Sequence, residues 1–422
     1  MQKISDPCQM ATKNHIDRPP AGRRGIMTPV RIAHCILEPR YSGAEILVLG
    51  LVRAQIAAGS AVAIIALRPS EAAFQAEIDA LARLGCEVFV PPQPLVRHQR
   101  LCWIRRAIRA FHPEVLVAHA LPPSIYCRLA LIGVPGVSLA TVLHADEDFE
   151  DPRLRAFERW MWRRNAIVVG VSAASLRNYR ALITEKQKTK LIANGAHLET
   201  LRTANARRAE VRERIYQAAP DEVILLQVGR ISPQKQQRLS VTALASLGHI
   251  SLEKVRLVFA GVVEDRKYYE EVIATARALG VANRIQFLGS RNDVPLLLAG
   301  ADAYLMPSGW EAQGIAGIEA LASGIFCIFT PLESFLPYRG MPGVDILPEE
   351  PTGAQFGDVL TAAIRTSATA RRYVREMDRY SIERCAQEYM QLAESLAAAA
   401  RSPRRPPKIL HLWPSQNPPL EL

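Results

Sequence analysis

The sequence predicts an α/β protein built from two doubly wound domains. Short apolar runs of strand length, such as residues 115–118 and 223–228, recur along the chain and are followed by longer stretches with helical periodicity. This alternation is typical of parallel sheets that are covered by helices on both faces. The chain has 422 residues, of which 49% are hydrophobic, so it is long enough to form two cores.

In the N-terminal half, the predicted elements place distinctive residues at strand ends. Residues 30–36 form the first predicted strand, and a turn containing Gly43 leads into an amphipathic helix at residues 46–58. Glycine at this turn would let the backbone approach a ligand closely. A later strand runs directly into His144. Because ligands bind outside the carboxyl ends of strands in such sheets, His144 is a candidate site residue, and a satisfied core histidine is the alternative.

The first charged constellation of the C-terminal half follows the predicted strand at residues 223–228. Gly229 allows a sharp turn at the strand end, and the loop after it carries Arg230 and Lys235. A guanidinium fork combined with an ammonium group is a common way to hold a diphosphate. The alternative is that these residues are two solvated cations in a surface loop.

A second constellation surrounds the start of a helix. A short buried strand at residues 301–306 and a Pro-Ser-Gly turn precede an apolar helix at residues 315–322, which Gly324 ends. Backbone N–H groups at the helix start would be free to bind a phosphate, and a carboxylate further along could accept hydrogen bonds from the hydroxyl pair of a ribose. The alternative is a strand–turn–helix unit with two solvated glutamates. The residues concerned are Glu311, Gly314, Ile315, Ala316 and Glu319.

Together these two segments resemble the C-terminal half of the retaining GT-B glycosyltransferases of family 4 type. The resemblance runs from about residue 30 to about residue 400, and it implies two Rossmann-like domains that face each other across a cleft. It also implies transfer of a hexosyl group from a nucleotide-diphosphate sugar to a glycan or lipid-linked acceptor, in polysaccharide or glycoconjugate synthesis. A nucleotide-sugar epimerase or a non-catalytic nucleotide-sugar-binding protein on the same scaffold are the alternatives.

The resemblance further implies a role for each matching residue. Arg230 and Lys235 would hold the donor diphosphate, and Glu319 would hold the ribose hydroxyls. His144 and Glu311 would lie beside the donor sugar as the catalytic residues. The nucleotide-sugar-binding set is completed by Gly43, Gly314, Ile315 and Ala316.

Several positions depart from the pattern of the family. Gln236 and Ala312 stand where glycines are common, and Val263 replaces the second glycine of a Gly-x-Gly turn. A Phe-Cys pair at residues 326–327 replaces the usual proline and valine. None of these changes removes a charged contact, and together they indicate a divergent member.

The domain boundaries follow from the same argument. The N-terminal domain is expected on the acceptor side, and His119 within it is interpreted as a structural or acceptor-side residue. A terminal helix with apolar periodicity is expected to cross back onto the N-terminal domain, as the resemblance implies. The predicted units are a flexible tail at 1–27, an acceptor-side domain at 28–200, a nucleotide-sugar-binding domain at 201–380, the crossing helix at 381–400 and a basic proline-rich tail at 401–422.

The formal net charge of +11 suggests a class of partner. Basic amphipathic stretches at residues 97–109 and 153–164 would suit the anionic inner face of a membrane. Solvated helices whose aromatic side chains pack inward are an equal alternative. No recognition motif for nucleic acid accompanies the charge, and no apolar run reaches the length of a membrane span. We therefore expect a cytoplasmic protein with no nucleic-acid partner, and peripheral contact with the inner face of the membrane is one of the two alternatives for its basic helices.

Cysteine spacing and acidic motifs bear on metals and cofactors. The seven cysteines are scattered and form no Cys-x-x-Cys pair, which is typical of reduced thiols with neither a disulfide framework nor a zinc site. The chain also lacks an Asp-x-Asp motif. We therefore expect no metal and no cofactor, because basic loops and helix amides can neutralise a diphosphate leaving group.

Overall fold

The computed structural model describes residues 29–144, 149, 151–183, 187–248, 253–366 and 368–401. Within these residues the chain forms a seven-stranded sheet and a six-stranded sheet, each covered by helices. The predicted fold class, two doubly wound α/β domains, is therefore confirmed. The two predicted tails lie outside the described residues, apart from Arg401, which ends the last helix.

The N-terminal sheet has the strand order β3–β2–β1–β4–β5–β6–β7, and all neighbouring strands are parallel. The order reverses between β1 and β4, which is the switch point where such sheets bind ligands. Its strands are β1 (Arg31–Ile36), β2 (Ala61–Ala66), β3 (Glu87–Phe89), β4 (Val115–His119), β5 (Ser138–Leu143), β6 (Ile167–Gly170) and β7 (Thr189–Leu191). Its helices are α1 (Gly43–Ala57), α2 (Gln75–Arg83), α3 (Arg97–Phe111), α4 (Leu121–Ala130), α5 (Pro152–Met161) and α6 (Ala173–Leu182).

The C-terminal sheet repeats this plan with the order β10–β9–β8–β11–β12–β13, again with parallel neighbours and a switch point between β8 and β11. Its strands are β8 (Val223–Val228), β9 (Val255–Ala260), β10 (Ile285–Phe287), β11 (Ala303–Met306), β12 (Phe326–Phe329) and β13 (Val344–Ile346). Its helices include α7 (Leu198–Ala204), α8 (Arg208–Val211), α9 (Gln237–Ala245), α10 (Arg266–Ala278), α11 (Val294–Gly300), α12 (Ile315–Ser323) and α13 (Gly353–Arg365).

The central strands carry nearly unbroken apolar runs because both of their faces are covered. In β2 every residue after Ala61 is buried, and all five residues of β4 are buried. Helices on the two sides of each sheet supply separate apolar clusters. This packing explains why the strand runs lack the alternation of a half-exposed sheet.

The last helix, α14 (Ile382–Arg401), packs on the N-terminal domain although it follows the C-terminal sheet in sequence. Ile382, Tyr389 and Leu392 belong to the same buried cluster as Ile32 of β1 and Val117 of β4. The chain therefore passes between the domains twice, once before α7 and once before α14. No helix in the described part of the chain is long and apolar enough to cross a bilayer.

The two segments that connect the domains, at residues 195–197 and 380–382, are called the two passages. They lie side by side and are joined through their main chains. The N–H of Ala196 donates to the carbonyl of Tyr380 at 2.9 Å, and the N–H of Ile382 donates to the carbonyl of Ala196 at 2.9 Å. A Cβ added at Gly195 would lie 2.6 Å from Cα of Ile382 and 2.7 Å from the carbonyl oxygen of Ser381. Glycine is needed at residue 195 because backbone occupies the space that a side chain would take.

Gly195→Ala should therefore destabilise the protein by separating the two passages. We expect a loss of about 1–3 kcal/mol in the free energy of unfolding, which is the usual cost of overpacking a closely packed site. Urea or thermal unfolding measures this loss. Gly248→Ala is the matched control, because a Cβ at residue 248 meets nothing within 4 Å. Equal stability of the two variants would contradict the close approach at Gly195.

Candidate active site

A cavity of about 810 Å³ lies in the cleft between the two sheets and is lined by both domains. The parallel strands of each sheet point their carboxyl ends toward it, as expected for the ligand site of such a fold. All nine residues singled out from the sequence line this cavity. They are Gly43, His144, Arg230, Lys235, Glu311, Gly314, Ile315, Ala316 and Glu319.

On the N-terminal side, the start of α1 forms one wall of the cavity. A Cβ on Gly43 would lie 3.3 Å from Cδ1 of Ile315, so the backbone at this turn approaches the opposite domain closely. Two residues further on, the carboxylate of Glu45 accepts a hydrogen bond from the hydroxyl of Ser42. Burial raises the pKa of Glu45. Glu45 stands in the first turn of α1, where the helix dipole favours a carboxylate.

His144 follows β5 directly and stands at the carboxyl edge of the sheet, as the sequence predicted. Its Nε2 lies 3.1 Å from Nδ1 of His119, the last residue of β4. Burial lowers the pKa of His144 to about 4 and that of His119 well below its usual value. Both rings are therefore neutral near pH 7, so they offer hydrogen bonds to a ligand but no positive charge.

The loop after β8 is held in place by backbone packing and by a buried amide. A Cβ on Gly261 would lie 2.1 Å from the carbonyl oxygen of Gly229, so the ends of β8 and β9 touch through their main chains. The side chain of Gln227 donates to the carbonyl of Lys235 at 2.6 Å and accepts from the hydroxyl of Ser240 at 2.8 Å. These contacts fix the loop that carries the two predicted cations.

Each of the two cations is paired with a carboxylate. The ammonium of Lys235 forms an ion pair with Glu311, and only 13% and 9% of these side chains are exposed. The guanidinium of Arg230 pairs with Glu264 and also donates to the side-chain oxygen of Gln234 at 2.9 Å. Charges of both signs are thus concentrated at one end of the cavity. An entering anion would have to compete with these carboxylates for the two cations.

The start of α12 supplies backbone donors to the same end of the cavity. Gly314 has a φ of +69°, and a Cβ there would lie 2.8 Å from the ring of Phe335. The first intrahelical bond is donated by the N–H of Gly317 to the carbonyl of Gly314 at 2.9 Å. The amides of residues 314–316 therefore precede the hydrogen-bonded turn of the helix and face a position suited to an anion. Glu319 follows, and burial raises its pKa to about 7.

Models of two protein families match this chain. The Glycosyltransferase Family 4 model matches residues 41–200, and the model for glycosyl transferases group 1 matches residues 210–338. Together they cover most of both domains and all nine predicted site residues. The chain belongs to the GT-B glycosyltransferases of family 4 type.

Individual relatives agree with this assignment. The chain is 32% identical over 167 residues to the lipopolysaccharide glucosyltransferase WaaG of Escherichia coli, which covers 38% of this chain and 44% of WaaG. It is 36% identical over 124 residues to a GDP-mannose-dependent phosphatidylinositol dimannoside mannosyltransferase of Mycobacterium tuberculosis, which covers 29% of this chain and 31% of that protein. The matched segments therefore span less than half the length of these curated relatives.

Solved structures share the fold over a longer stretch. Anabaena HepE in complex with UDP and glucose superposes with a TM-score of 0.73 at 18% identity, covering 87% of this chain and all of HepE. The structure of WaaG gives a TM-score of 0.63 at 20% identity, covering 87% of this chain and 98% of WaaG. These similarities show that the GT-B arrangement of two domains across a cleft, predicted from the sequence, is present here.

The structure shows the surroundings of two positions at which this family member departs from the common pattern. Gln236, which stands where a glycine is common, has a φ of +48° in the left-handed region that favours glycine. Its side-chain amide lies 2.8 Å from the place that a Cβ on Gly309 would occupy. Ala312 is buried in the apolar cluster that also contains Ile382 of α14. A methyl group at residue 312 therefore adds to the contact between this family member's domains.

Sequence reasoning did not identify several residues that hold this GT-B site together. Glu264 and Gln234 contact Arg230 as described above. The side-chain oxygen of Gln313 accepts a hydrogen bond from the backbone N–H of Asn194 at 2.7 Å, across the cleft. Gln234 and Gln313 carried a local signal, because each lies inside a segment that the sequence analysis singled out. Glu264 depends on a contact over 34 residues that no short motif encodes.

Proposed function

We propose that this protein is a retaining hexosyltransferase that moves a sugar from a nucleotide-diphosphate sugar to a glycan or lipid-linked acceptor in glycoconjugate synthesis. The observation that carries the proposal is the convergence of Arg230, Lys235 and the start of α12 at one end of a cleft cavity. Cations and free amides at one point are what a diphosphate leaving group needs. Glu311 and Glu319 lie beside them, where hydroxyl donors of a sugar and a ribose could bind.

In this proposal the protein itself neutralises the charge that develops on the diphosphate. Arg230 and Lys235 would contact its oxygens, and the amides of residues 314–316 would donate to them from the positive end of the helix dipole. Such preorganised donors can replace a bound metal, so we propose a metal-independent reaction. Glu311 would orient the donor sugar, and neutral His144 would contribute a hydrogen bond from the N-terminal wall. The family resemblance supports the retaining outcome.

The names of the relatives support an acceptor that carries an anion or a lipid. One relative is named for a GlcNAc-diphosphoundecaprenol acceptor, and another is named for phosphatidylinositol dimannoside. The acceptor would enter from the N-terminal side of the cavity, opposite the charged loop. A nucleotide-sugar epimerase and a non-catalytic binding protein are the competing functions. All four charged side chains are in place around the cavity, which favours an enzyme over a decayed site.

Incubation with UDP-, GDP- and ADP-linked sugars separates these functions. A transferase should release the nucleoside diphosphate, slowly with water and faster with an acceptor, and anomeric analysis of the product should show retention. An epimerase would change the sugar of the donor, and a binding protein would leave it intact. Inversion at the anomeric carbon would contradict the proposed mechanism.

Removing either cation should reduce turnover strongly. Arg230→Ala and Lys235→Ala should each lower kcat by roughly 10²–10³-fold, the usual loss when one preorganised donor to a developing charge is removed. Stability should change little in Arg230→Ala, because Arg230 is partly exposed in a loop, whereas Lys235→Ala should also destabilise the fold by leaving the largely buried Glu311 without its partner. Arg238→Ala is the control, since Arg238 is an exposed residue of the same region that pairs with Glu271. Near-normal turnover in either test variant would show that the diphosphate binds elsewhere.

Donor affinity should depend on pH through Glu319. Its pKa of about 7 means that an increasing fraction is protonated as the pH falls below 7. A ribose diol needs the ionised carboxylate as acceptor, so donor binding must release this proton at low pH. The dissociation constant of a nucleotide sugar should be flat above about pH 8 and should rise below about pH 7, approaching tenfold per pH unit.

Calorimetric titration of a nucleotide sugar, whose esterified diphosphate stays ionised in this range, measures the effect. Glu319→Gln is the matched control, since an amide does not titrate. This variant should bind the donor more weakly and with no pH dependence. A wild-type dissociation constant that stays flat across the range would exclude Glu319 as the ribose acceptor.

We also propose that α5 contacts the anionic inner face of the membrane. Trp160 on this helix is 69% exposed and packs edge-on against Phe157, and Arg155 and Arg159 beside it are exposed. On α3, by contrast, the indole of Trp103 donates to the carbonyl of Ala66 at 3.0 Å. The aromatic side chains of α3 therefore pack inward, and of the two basic stretches only α5 presents a tryptophan among cations, as membrane surfaces favour.

Trp160→Ala combined with Arg159→Gln should weaken binding to vesicles that contain anionic lipid. Each arginine near such a surface contributes about 1 kcal/mol, so we expect a loss of at least fivefold in the partition coefficient. Vesicle co-sedimentation measures it. Leu84→Ser is the control, because Leu84 is an exposed apolar residue at the end of α2, outside both basic stretches. If the double variant binds the vesicles as strongly as the wild type does, α5 is not the membrane contact.

A further inference from the structure

Three histidines form a continuous chain of hydrogen bonds from the interior of the N-terminal domain to the cleft. Nδ1 of His34 lies 2.9 Å from Nε2 of His119, and Nδ1 of His119 lies 3.1 Å from Nε2 of His144. The inner end of the chain is Gln55 of α1, whose side-chain oxygen lies 2.8 Å from Nε2 of His34. Only the outer part of the chain, His119 and His144, lines the cavity.

The sheet geometry explains why these rings meet. His34 on β1 is paired in register with Val117 of β4, and His119 lies two residues beyond Val117. His119 is paired with Val142 of β5, and His144 lies two residues beyond Val142. Each histidine is thus displaced by two residues on the next strand. All three project from the same face of the sheet, because side chains alternate between faces.

The inner part of this histidine chain is closed off from solvent. His34 and Gln55 are fully buried, and His119 is 2% exposed. The ring of Tyr389 from α14 lies 6.5 Å from that of His119, so the crossing helix covers the middle of the chain. Burial lowers the pKa of all three histidines, and none carries a proton beyond its neutral form near pH 7.

Neutral rings in such a chain cannot choose their tautomers independently. Each N–H···N bond needs one protonated and one unprotonated nitrogen, so the three rings carry their protons either all on Nε2 or all on Nδ1. The side-chain oxygen of Gln55 accepts only, which places the proton of His34 on Nε2. His119 and His144 must then also carry their protons on Nε2. A rotated Gln55 amide would present its N–H₂ group instead and would reverse all three rings.

We propose that Gln55 is a positioning residue that sets the tautomer of His144 through His34 and His119, and so presents Nδ1 of His144 to the cleft as a hydrogen-bond acceptor. The role of this nitrogen rests on the proposed function: Nδ1 of His144 accepts a hydrogen bond from a hydroxyl group of the donor sugar. The sugar therefore needs a hydroxyl donor at that point, and a deoxy sugar at the same carbon binds less well. Gln55 acts without touching the substrate.

The ¹⁵N spectrum of histidine-labelled protein tests the proposal without any ligand. Protonated and unprotonated ring nitrogens have widely separated shifts, and His144→Asn assigns the signals of His144. In the wild type we expect Nε2 of His144 to be protonated and Nδ1 to be unprotonated. A proton on Nδ1 would overturn the proposal. This measurement needs no change at Gln55, so it decides the tautomer whether or not a Gln55 variant folds.

Gln55→Met removes both the acceptor oxygen and the donor N–H₂ of the side-chain amide while keeping a similar shape. The ring nitrogens of all three histidines should then shift together toward the average of the two tautomers. His119→Phe should break the coupling, so that Gln55→Met has no further effect on His144 in that background. Gln75→Leu, which removes an exposed amide bonded to Asp79, is the control and should leave the spectrum unchanged. A His144 spectrum unaffected by Gln55→Met would contradict the coupling.

Kinetics distinguish this role from a purely structural one. Gln55→Met should lower kcat for sugar transfer by roughly 10–100-fold, the range seen when the partner that fixes a ligating histidine is removed. The dissociation constant of the free nucleoside diphosphate, which lacks the sugar, should stay unchanged. Loss of both sugar transfer and nucleoside diphosphate binding would indicate disruption of the fold and would overturn a positioning role. A third outcome separates the two proposals. If no nucleotide sugar binds but Gln55→Met still changes the tautomer of His144, the proposed function is wrong and the role of Gln55 in setting the tautomer is retained.

Discussion

The arrangement of the cleft depends on the junction where the chain passes between the domains twice. Two main-chain hydrogen bonds join residues 195–197 to residues 380–382, and Gly195 leaves no space between the passages. This junction sets how far apart the carboxyl edges of the two sheets lie. The approach of Gly43 to Ile315 and the bond from Asn194 to Gln313 are both found on the cleft side of it. Two adjacent passages also form a narrow link, which is the usual structure of a hinge between closing domains.

Burial shifts the pKa of several groups on the N-terminal side of the cleft. On the N-terminal side, His119 and His144 lose their positive charge because desolvation disfavours it, and the pKa of Glu45 is raised for the same reason. On the C-terminal side, Arg230 and Lys235 are each paired with a carboxylate. Two ion pairs therefore lie beside the start of α12 on the C-terminal side of the cavity. An anionic group of a ligand could replace the carboxylates of these pairs, which would orient the ligand in the cleft.

Much of the fold and the outer part of the site could be predicted from local sequence. Parallel strands buried on both faces produce unbroken apolar runs, and the residues that follow them at a sheet edge, such as Arg230 and His144, can be found by position. The partners of these residues could not be predicted. Glu264 follows β9 and meets Arg230 from 34 residues away, and Gln55 meets His34 only because α1 packs on that face of the sheet. Such pairs are set by tertiary packing, which leaves no local pattern.

The ion pair between Lys235 and Glu311 also affects how the proposed donor would bind. Both side chains are largely buried, and removing the partner of one would leave an uncompensated charge in a partly dry cleft. A diphosphate that takes Lys235 supplies a replacement anion, so the lysine stays compensated. Glu311 loses Lys235 in the same step. Hydroxyl groups of the sugar can replace the lysine by donating hydrogen bonds to this carboxylate. Binding of the phosphate and orientation of the sugar would then be coupled through one exchange of partners, and a nucleotide without a sugar would leave Glu311 uncompensated.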